Sequence, residues 1–69
     1  MTERELQQRK SERPFRPFSL HTRDGRSFRV VDPTSFTAIY GRVVVPDPRG
    51  VPAFLDLREV ERIETLQPA

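Results

Sequence analysis

Apolar and polar residues alternate over Phe18-Ser19-Leu20-His21-Thr22 and again over Ser27-Phe28-Arg29-Val30, on either side of Arg23-Asp24-Gly25. This pattern predicts two half-buried strands joined by a tight turn. A two-residue loop on Asp24-Gly25 would set Leu20 opposite Arg29 and His21 opposite Phe28, mixing polar and apolar side chains on both faces. A three-residue loop, Arg23-Asp24-Gly25, ending with Gly25 in the left-handed region, instead sets Leu20 opposite Phe28 and Phe18 opposite Val30. Ser19, Arg29, His21 and Ser27 then share the solvent side. The second register is predicted, because a slip of one residue turns every side chain over and only this register has a clean apolar face.

Upstream, Thr2-Glu3-Arg4-Glu5 fits a capping box, and the good helix formers up to Ser11 predict a helix that Pro14 brings to an end. Leu6 is its only large apolar residue after Met1. A helix with so narrow an apolar stripe is expected to be loosely docked or completed by a partner. Pro14-Phe15-Arg16-Pro17-Phe18 predicts an extended path displaying two rings. Phe15 and Phe18 either plug the core, or Phe15 with Arg16 forms a surface anchor.

Downstream, Asp32-Pro33-Thr34-Ser35 carries turn chemistry, and strands are expected over Phe36–Tyr40, Val43–Val45 and Pro52–Asp56, with Pro46–Gly50 as an exposed loop tip. Leu57, Val60, Ile63 and Leu66 recur every three residues and suit either an amphipathic helix or a short turn followed by a strand. The expected class is mainly β (α+β): a small barrel of about five short antiparallel strands behind an N-terminal helix. Its plan is a helix over 1–13, a β domain over 14–66 and a tail over 67–69. The expected core is Phe18, Leu20, Phe28, Val30, Ala38, Tyr40, Val44, Leu55 and Ile63.

Composition narrows the function. Sixty-nine residues with 35% apolar content hold one small domain and exclude a large enzyme. With no cysteine and a single histidine, His21, neither a Cys/His nucleophilic pair nor a multi-histidine metal site can be assembled in one chain. No catalytic residue, metal or cofactor is expected, and the protein is not read as an enzyme. Asp56, Glu59, Glu61 and Glu64 read as a solvated acidic face rather than a cation site. No apolar run reaches the ~18 residues that span a bilayer, and the opening Met1-Thr2-Glu3-Arg4-Glu5 is too acidic for a signal peptide. The expectation is a cytoplasmic protein with no membrane partner.

Charge is unevenly spread. Residues 1–31 carry eight basic and four acidic side chains, whereas residues 32–69 carry four and six, and eleven of the twelve basic residues are Arg. Guanidinium groups suit bidentate contacts to phosphate or carboxylate, although a GC-rich genome produces the same bias. Arg16, Arg23, Arg26 and Arg29, together with His21, are therefore the candidate nucleic-acid contacts, by the counterion release that clustered Arg residues bring about. The candidate protein contacts are Leu6, Phe15, Arg16 and the β-branched Val43 and Val45. The last two, or the C-terminal strand, are expected to lie on an exposed edge that pairs with a second chain as a dimer or a ring.

The order of helix, hairpin Phe18 to Val30 and return segment Phe54-Leu55-Asp56-Leu57-Arg58-Glu59-Val60-Glu61-Arg62-Ile63 resembles the Sm-like small barrel of bacterial Hfq, for which SH3-like barrel is an equivalent description. The resemblance implies a bent sheet of five strands and turns the C-terminal segment towards a turn plus a strand. Where that family carries the Tyr-Lys-His run of its RNA pore, this chain has Asp56-Leu57-Arg58, so only the architecture carries over. The chain is also similar to short bacterial proteins that share Pro-Phe-Arg-Pro-Phe, Asp-Gly-Arg and a closing Val-x-x-Ile-Glu, which implies no activity. The leading expectation is a non-catalytic binding module acting through self-association or protein docking. The alternative is an RNA- or DNA-binding regulator of Sm-like type that uses the Arg-bearing hairpin.

Overall fold

The hairpin adopts the register with the clean apolar face. In the computed structural model, which describes residues 3–66, Phe18 stands opposite Val30, Ser19 opposite Arg29, Leu20 opposite Phe28 and His21 opposite Ser27. Gly25 has φ 91°, its N–H donates to Thr22 O at 3.1 Å, and Thr22 N–H donates to Arg26 O at 2.9 Å. A Cβ at that φ would be strained, which is why the loop ends on glycine.

Around this hairpin the chain runs α1 (Glu3–Ser11), β1 (Phe18–Thr22), β2 (Ser27–Val30), a 3-10 turn (Pro33–Ser35), β3 (Thr37–Ile39), β4 (Arg42–Pro46), β5 (Pro52–Asp56), a second 3-10 turn (Leu57–Glu59) and β6 (Val60–Thr65). The protein is mainly β with one N-terminal helix. Its strands form two three-stranded antiparallel sheets, β2-β1-β6 and β3-β4-β5, rather than one closed barrel. The C-terminal segment takes the turn-plus-strand form: Asp56 and Glu59 close a capping box around the second 3-10 turn, and β6 then pairs with β1. The first 3-10 turn begins as its residues predict, with Asp32 accepting from Thr34 N–H at 2.8 Å ahead of Pro33.

The second sheet corrects two expected core positions. Tyr40 (φ 52°) and Gly41 (φ 75°) are both left-handed, as a two-residue type I′ turn requires, so Ile39 pairs with Arg42 and Ala38 with Val43. Because side chains alternate from that fixed point, Val43 and Val45 face inward, and Val44 lies half-buried on the outer face opposite Phe54. Tyr40 sits at the corner, 90% exposed. The strand edge expected at Val43 and Val45 is also corrected: β4 is the central strand of its sheet and both side chains are fully buried. The core comprises Leu6, Phe18, Leu20, Phe28, Val30, Phe36, Ala38, Val43, Val45, Leu55, Leu57 and Val60, with Phe15, Ala53 and Ile63 packed against it. The Phe18 and Phe36 rings meet edge to face at 5.5 Å between centroids.

The helix is docked rather than loose. Leu6 is fully buried, and the rest of its stripe works through polar groups. Glu3 Oε1 accepts from Gly41 N–H at 3.0 Å, Gln7 Nε2 donates to Ala38 O at 3.0 Å, and Lys10 Nζ donates to Phe36 O at 2.7 Å. Positions 3, 6, 7 and 10 lie on one helical face, so this face satisfies the backbone of β3 while Leu6 enters the core. Lys10 Nζ also stands 5.0 Å from the centre of the Phe36 ring. Thr2 of the expected capping box and the tail 67–69 lie outside the described residues.

Leu6→Ala is expected to cost about 2–5 kcal/mol, comparable to the few kcal/mol that so small a core supplies, and so to abolish cooperative unfolding. Gln7→Ala is expected to cost about 1 kcal/mol. Urea titration followed by far-UV circular dichroism reads both. Two unchanged midpoints would mean that the helix does not support the sheet.

Candidate functional site

Antiparallel ladders alternate between bonded and non-bonded pairs, so a few hydrogen bonds fix which way every backbone group points. Thr22 N–H donates to Arg26 O, which makes the even residues of β1 the ones bonded to β2. Leu66 N–H donates to Pro17 O at 3.0 Å, which makes the odd residues of β1 the ones bonded to β6, through Arg62 and Glu64 in the observed register. It follows that the N–H and C=O groups of Ile63 and Thr65 point away from the sheet.

Two of the other three edges, those of β3 and β5, are covered or interrupted. The edge of β3 is occupied by Gln7 and Lys10 of the helix. In β5, bonds between Leu57 and Gly41 and between Asp47 and Val51 set the parity so that Pro52, Phe54 and Asp56 face outward. Pro52 has no N–H, and Asp56 N–H donates to Glu59 Oε1 at 3.1 Å, which leaves Phe54 to supply the outward N–H. The edge of β2 is four residues long and turns Ser27 and Arg29 outward by the same parity, with Pro46, Asp47 and Pro48 lining the cavity beside them. The remaining edge is β6, the longest strand.

Beside β6 lies a groove of about 720 Å³ between the strand and α1, lined by Ile63 and Thr65 and walled by Glu5, Arg9, Glu12 and Arg16. Arg9 Nη1 donates to Thr65 Oγ1 at 3.0 Å, which ties the helix to the strand end. Glu12 Oε1 is shielded from solvent without a hydrogen-bond partner among the described residues, and the Arg9 guanidinium lies 3.9 Å from it. On the outer face of the sheet, Arg62 and Glu64 flank Ile63. Glu64 Oε1 lies 2.9 Å from His21 Nε2 and 3.8 Å from Arg62 Nη1.

The Arg residues singled out as nucleic-acid contacts do not form one patch. Arg26 donates to both oxygens of Asp24 at 3.1 and 2.9 Å and to Glu59 Oε2 at 3.1 Å. Arg23 donates to Arg58 O at 3.1 Å and, through its backbone, to Glu59 O at 2.9 Å. These bonds lock the hairpin tip onto the second 3-10 turn. Arg29 and His21 lie on the outer face of the first sheet, on strands β2 and β1, and Arg16 lies in the groove. Among the protein-contact candidates, Leu6, Val43 and Val45 are fully buried and reach no partner. Phe15 is half-buried, its ring 6.0 Å from Phe18, and Arg16 is exposed.

Of the two edges expected, the C-terminal strand is the one that lies at the edge of a sheet, as β6, but the pattern of the chain does not single out Arg62, Ile63, Glu64 and Thr65 on it. The available signal was the charge alternation around Ile63, which the reading of Glu61 and Glu64 as a solvated acidic face absorbed. That acidic set is dispersed: Asp56 and Glu59 build the 3-10 cap, Glu64 meets His21 and Glu61 borders the groove. Among the described residues no group of acidic or histidine side chains is arranged to hold a metal ion, and no helix is long and apolar enough to cross a membrane. No known protein family, curated protein or solved structure matches this chain.

Two carboxylates stand well below their ordinary range. Asp24 is lowered from 3.8 to about 2, first by the Thr22 hydroxyl and then by Arg26. Asp56 is lowered from 3.8 to about 2 by the Arg58 guanidinium and backbone N–H. A carboxylate whose folded pKa is depressed stabilises the fold above its unfolded pKa, and that contribution disappears as pH falls towards the folded value. The urea midpoint is therefore expected to be level above about pH 4 and to fall between about 4 and 2. Asp24→Asn should flatten that acid limb, and an identical pH profile in the variant would show that the Asp24 contacts do not persist in solution.

Proposed function

We propose that this chain is a non-catalytic binding module that acts through self-association or protein docking at the free edge of β6. One observation carries the reading: β6, the longest strand, presents two consecutive outward backbone sites, at Ile63 and Thr65, beside the groove against α1, whereas the outward sites of the shorter β2, Ser27 and Arg29, face a cavity walled by Pro46, Asp47 and Pro48. Strand addition uses such an edge directly, because main-chain hydrogen bonds supply affinity and the flanking side chains supply selectivity. The order of elements, with a 3-10 turn leading into a last strand that pairs with the first, supports an SH3-like or Sm-like small-barrel description. A cytoplasmic setting fits a domain with no disulfide to make. The Arg-bearing hairpin is a weaker basis for function. Its two tip guanidiniums are committed to Asp24, Glu59 and Arg58, and clustered, uncommitted cations are what counterion release requires.

Amide exchange in dilute solution tests the edge itself. Arg62 and Glu64 are expected to exchange slowly through their bonds to β1, and Ile63 and Thr65 rapidly. Equal protection at all four positions would mean that the edge is already paired within one chain, and the reading would fail. Titration with mixed-sequence single-stranded RNA at two salt concentrations separates the alternative. No binding beyond the weak non-specific range of about 10⁻⁴–10⁻⁶ M is expected, whereas tight binding with a steep salt dependence would replace docking by nucleic-acid recognition.

A further inference from the structure

We infer that the occupant of the β6 edge is β6 of a second copy of this chain, paired antiparallel about a twofold axis through Ile63. The inference rests on the reading of that edge as the binding site and adds the partner and the register. Antiparallel pairing across a twofold axis places residue i opposite residue j of the copy, with i and j exchanging roles. Its bonded pairs must engage the outward residues Ile63 and Thr65, which restricts the registers to a few.

Centring on Ile63 sets Ile63 against itself and Glu61 against Thr65 of the copy. It also sets Arg62 opposite Glu64 of the copy, and Glu64 opposite Arg62 of the copy. These two ion pairs fall at non-bonded positions, where side chains approach most closely. Pairing Ile63 with Thr65 would instead set Glu64 against Glu64, and like charges directly opposite are unfavourable. Centring on Thr65 loses both ion pairs and the apolar contact at Ile63. The segment Glu61-Arg62-Ile63-Glu64-Thr65 is thus charge-complementary to itself in one register. Arg62 and Glu64 are both more than half exposed and accessible to a partner. The assembly joins the two first sheets into one six-stranded sheet, β2-β1-β6 followed by its symmetry mate. One added strand pair makes a small interface, which sits at the weak, reversible end of specific association.

Sedimentation velocity of the full chain from micromolar to millimolar concentration reads this directly. A reversible shift from the 8.1 kDa chain to twice that mass is expected. Arg62→Glu alone and Glu64→Arg alone should each weaken the dimer by roughly tenfold or more, because symmetry turns both cross-strand pairs repulsive. The double variant R62E/E64R restores opposite charges across the axis and should recover association. Thr65→Pro, which removes an outward N–H without touching the ladder to β1, should weaken the dimer as well. If a single reversal fails to fold, the double variant and Thr65→Pro still decide. A constant 8.1 kDa species at millimolar concentration, a dimer indifferent to both single reversals, or a double variant no tighter than the singles would each overturn the inference. The broader reading of the edge fails separately, by protection of the Ile63 and Thr65 amides in the dilute chain.

Discussion

A strand that lacks a neighbour on one side leaves a row of N–H and C=O groups without partners, and two small open sheets create four such rows in a chain of sixty-nine residues. Much of this architecture follows from how those rows are handled. The helix lies where it does because Glu3, Gln7 and Lys10 reach the backbone of Gly41, Ala38 and Phe36. The β5 edge is shortened at one end by Pro52 and closed at the other by the Glu59 carboxylate, and prolines stand beside β2. Against the coverage of β3 and β5, β6 is the longest strand left with an open edge, and departures from such a rule are where function is sought.

The hairpin was legible in the chain because its register is decided locally: the wrong loop length mixes polar and apolar residues, and residues 18–30 contain all the information needed. The second sheet was less legible. Phe36 to Val45 supports more than one turn placement, and the turn that forms holds Tyr40 at φ 52°, a conformation that non-glycine residues adopt infrequently. Placing a tyrosine there reverses the parity of everything that follows, so Val44 and the pair Val43 and Val45 exchange faces. A helix with Leu6 as its single large apolar residue predicts loose docking because an apolar stripe is the usual sign of docking. A stripe that docks by hydrogen bonds to a strand edge is invisible to hydropathy, since Gln7 and Lys10 look the same whether they bond to a carbonyl or to water. The C-terminal strand is legible as an exposed edge, but which of its backbone groups face outward is not, because their direction depends on long-range pairing with β1.

The Arg excess finds a structural use at the domain's polar end. Arg26 bridges Asp24 and Glu59, and Arg23 bonds the carbonyls of Arg58 and Glu59, so the tip of the first hairpin is clamped to the turn that launches β6. These groups are exposed, and exposed ion pairs contribute little individually. Their effect is positional, because they join residues more than thirty positions apart in sequence and hold the entry to β6 in line with β1. Two of the four Arg residues suited to a phosphate backbone, Arg23 and Arg26, are thus engaged within the protein.

That clamp connects the smallest local decision in the chain to the surface it presents. Gly25 permits a three-residue loop, the loop sets the even residues of β1 against β2, and the odd residues are left to pair with β6. The register shift between His21 and Thr22 on β1 then absorbs Glu61, which brings Arg62 and Glu64 into the ladder and turns Ile63 and Thr65 outward. Moving the loop by one residue would exchange these roles. The acidic and basic side chains beside the edge would then no longer flank an apolar centre on the strand that carries the free backbone groups. The chemistry of the β6 edge is thus set by a turn at the far end of its neighbouring strand, and this is the route by which a single glycine governs which backbone groups that edge presents.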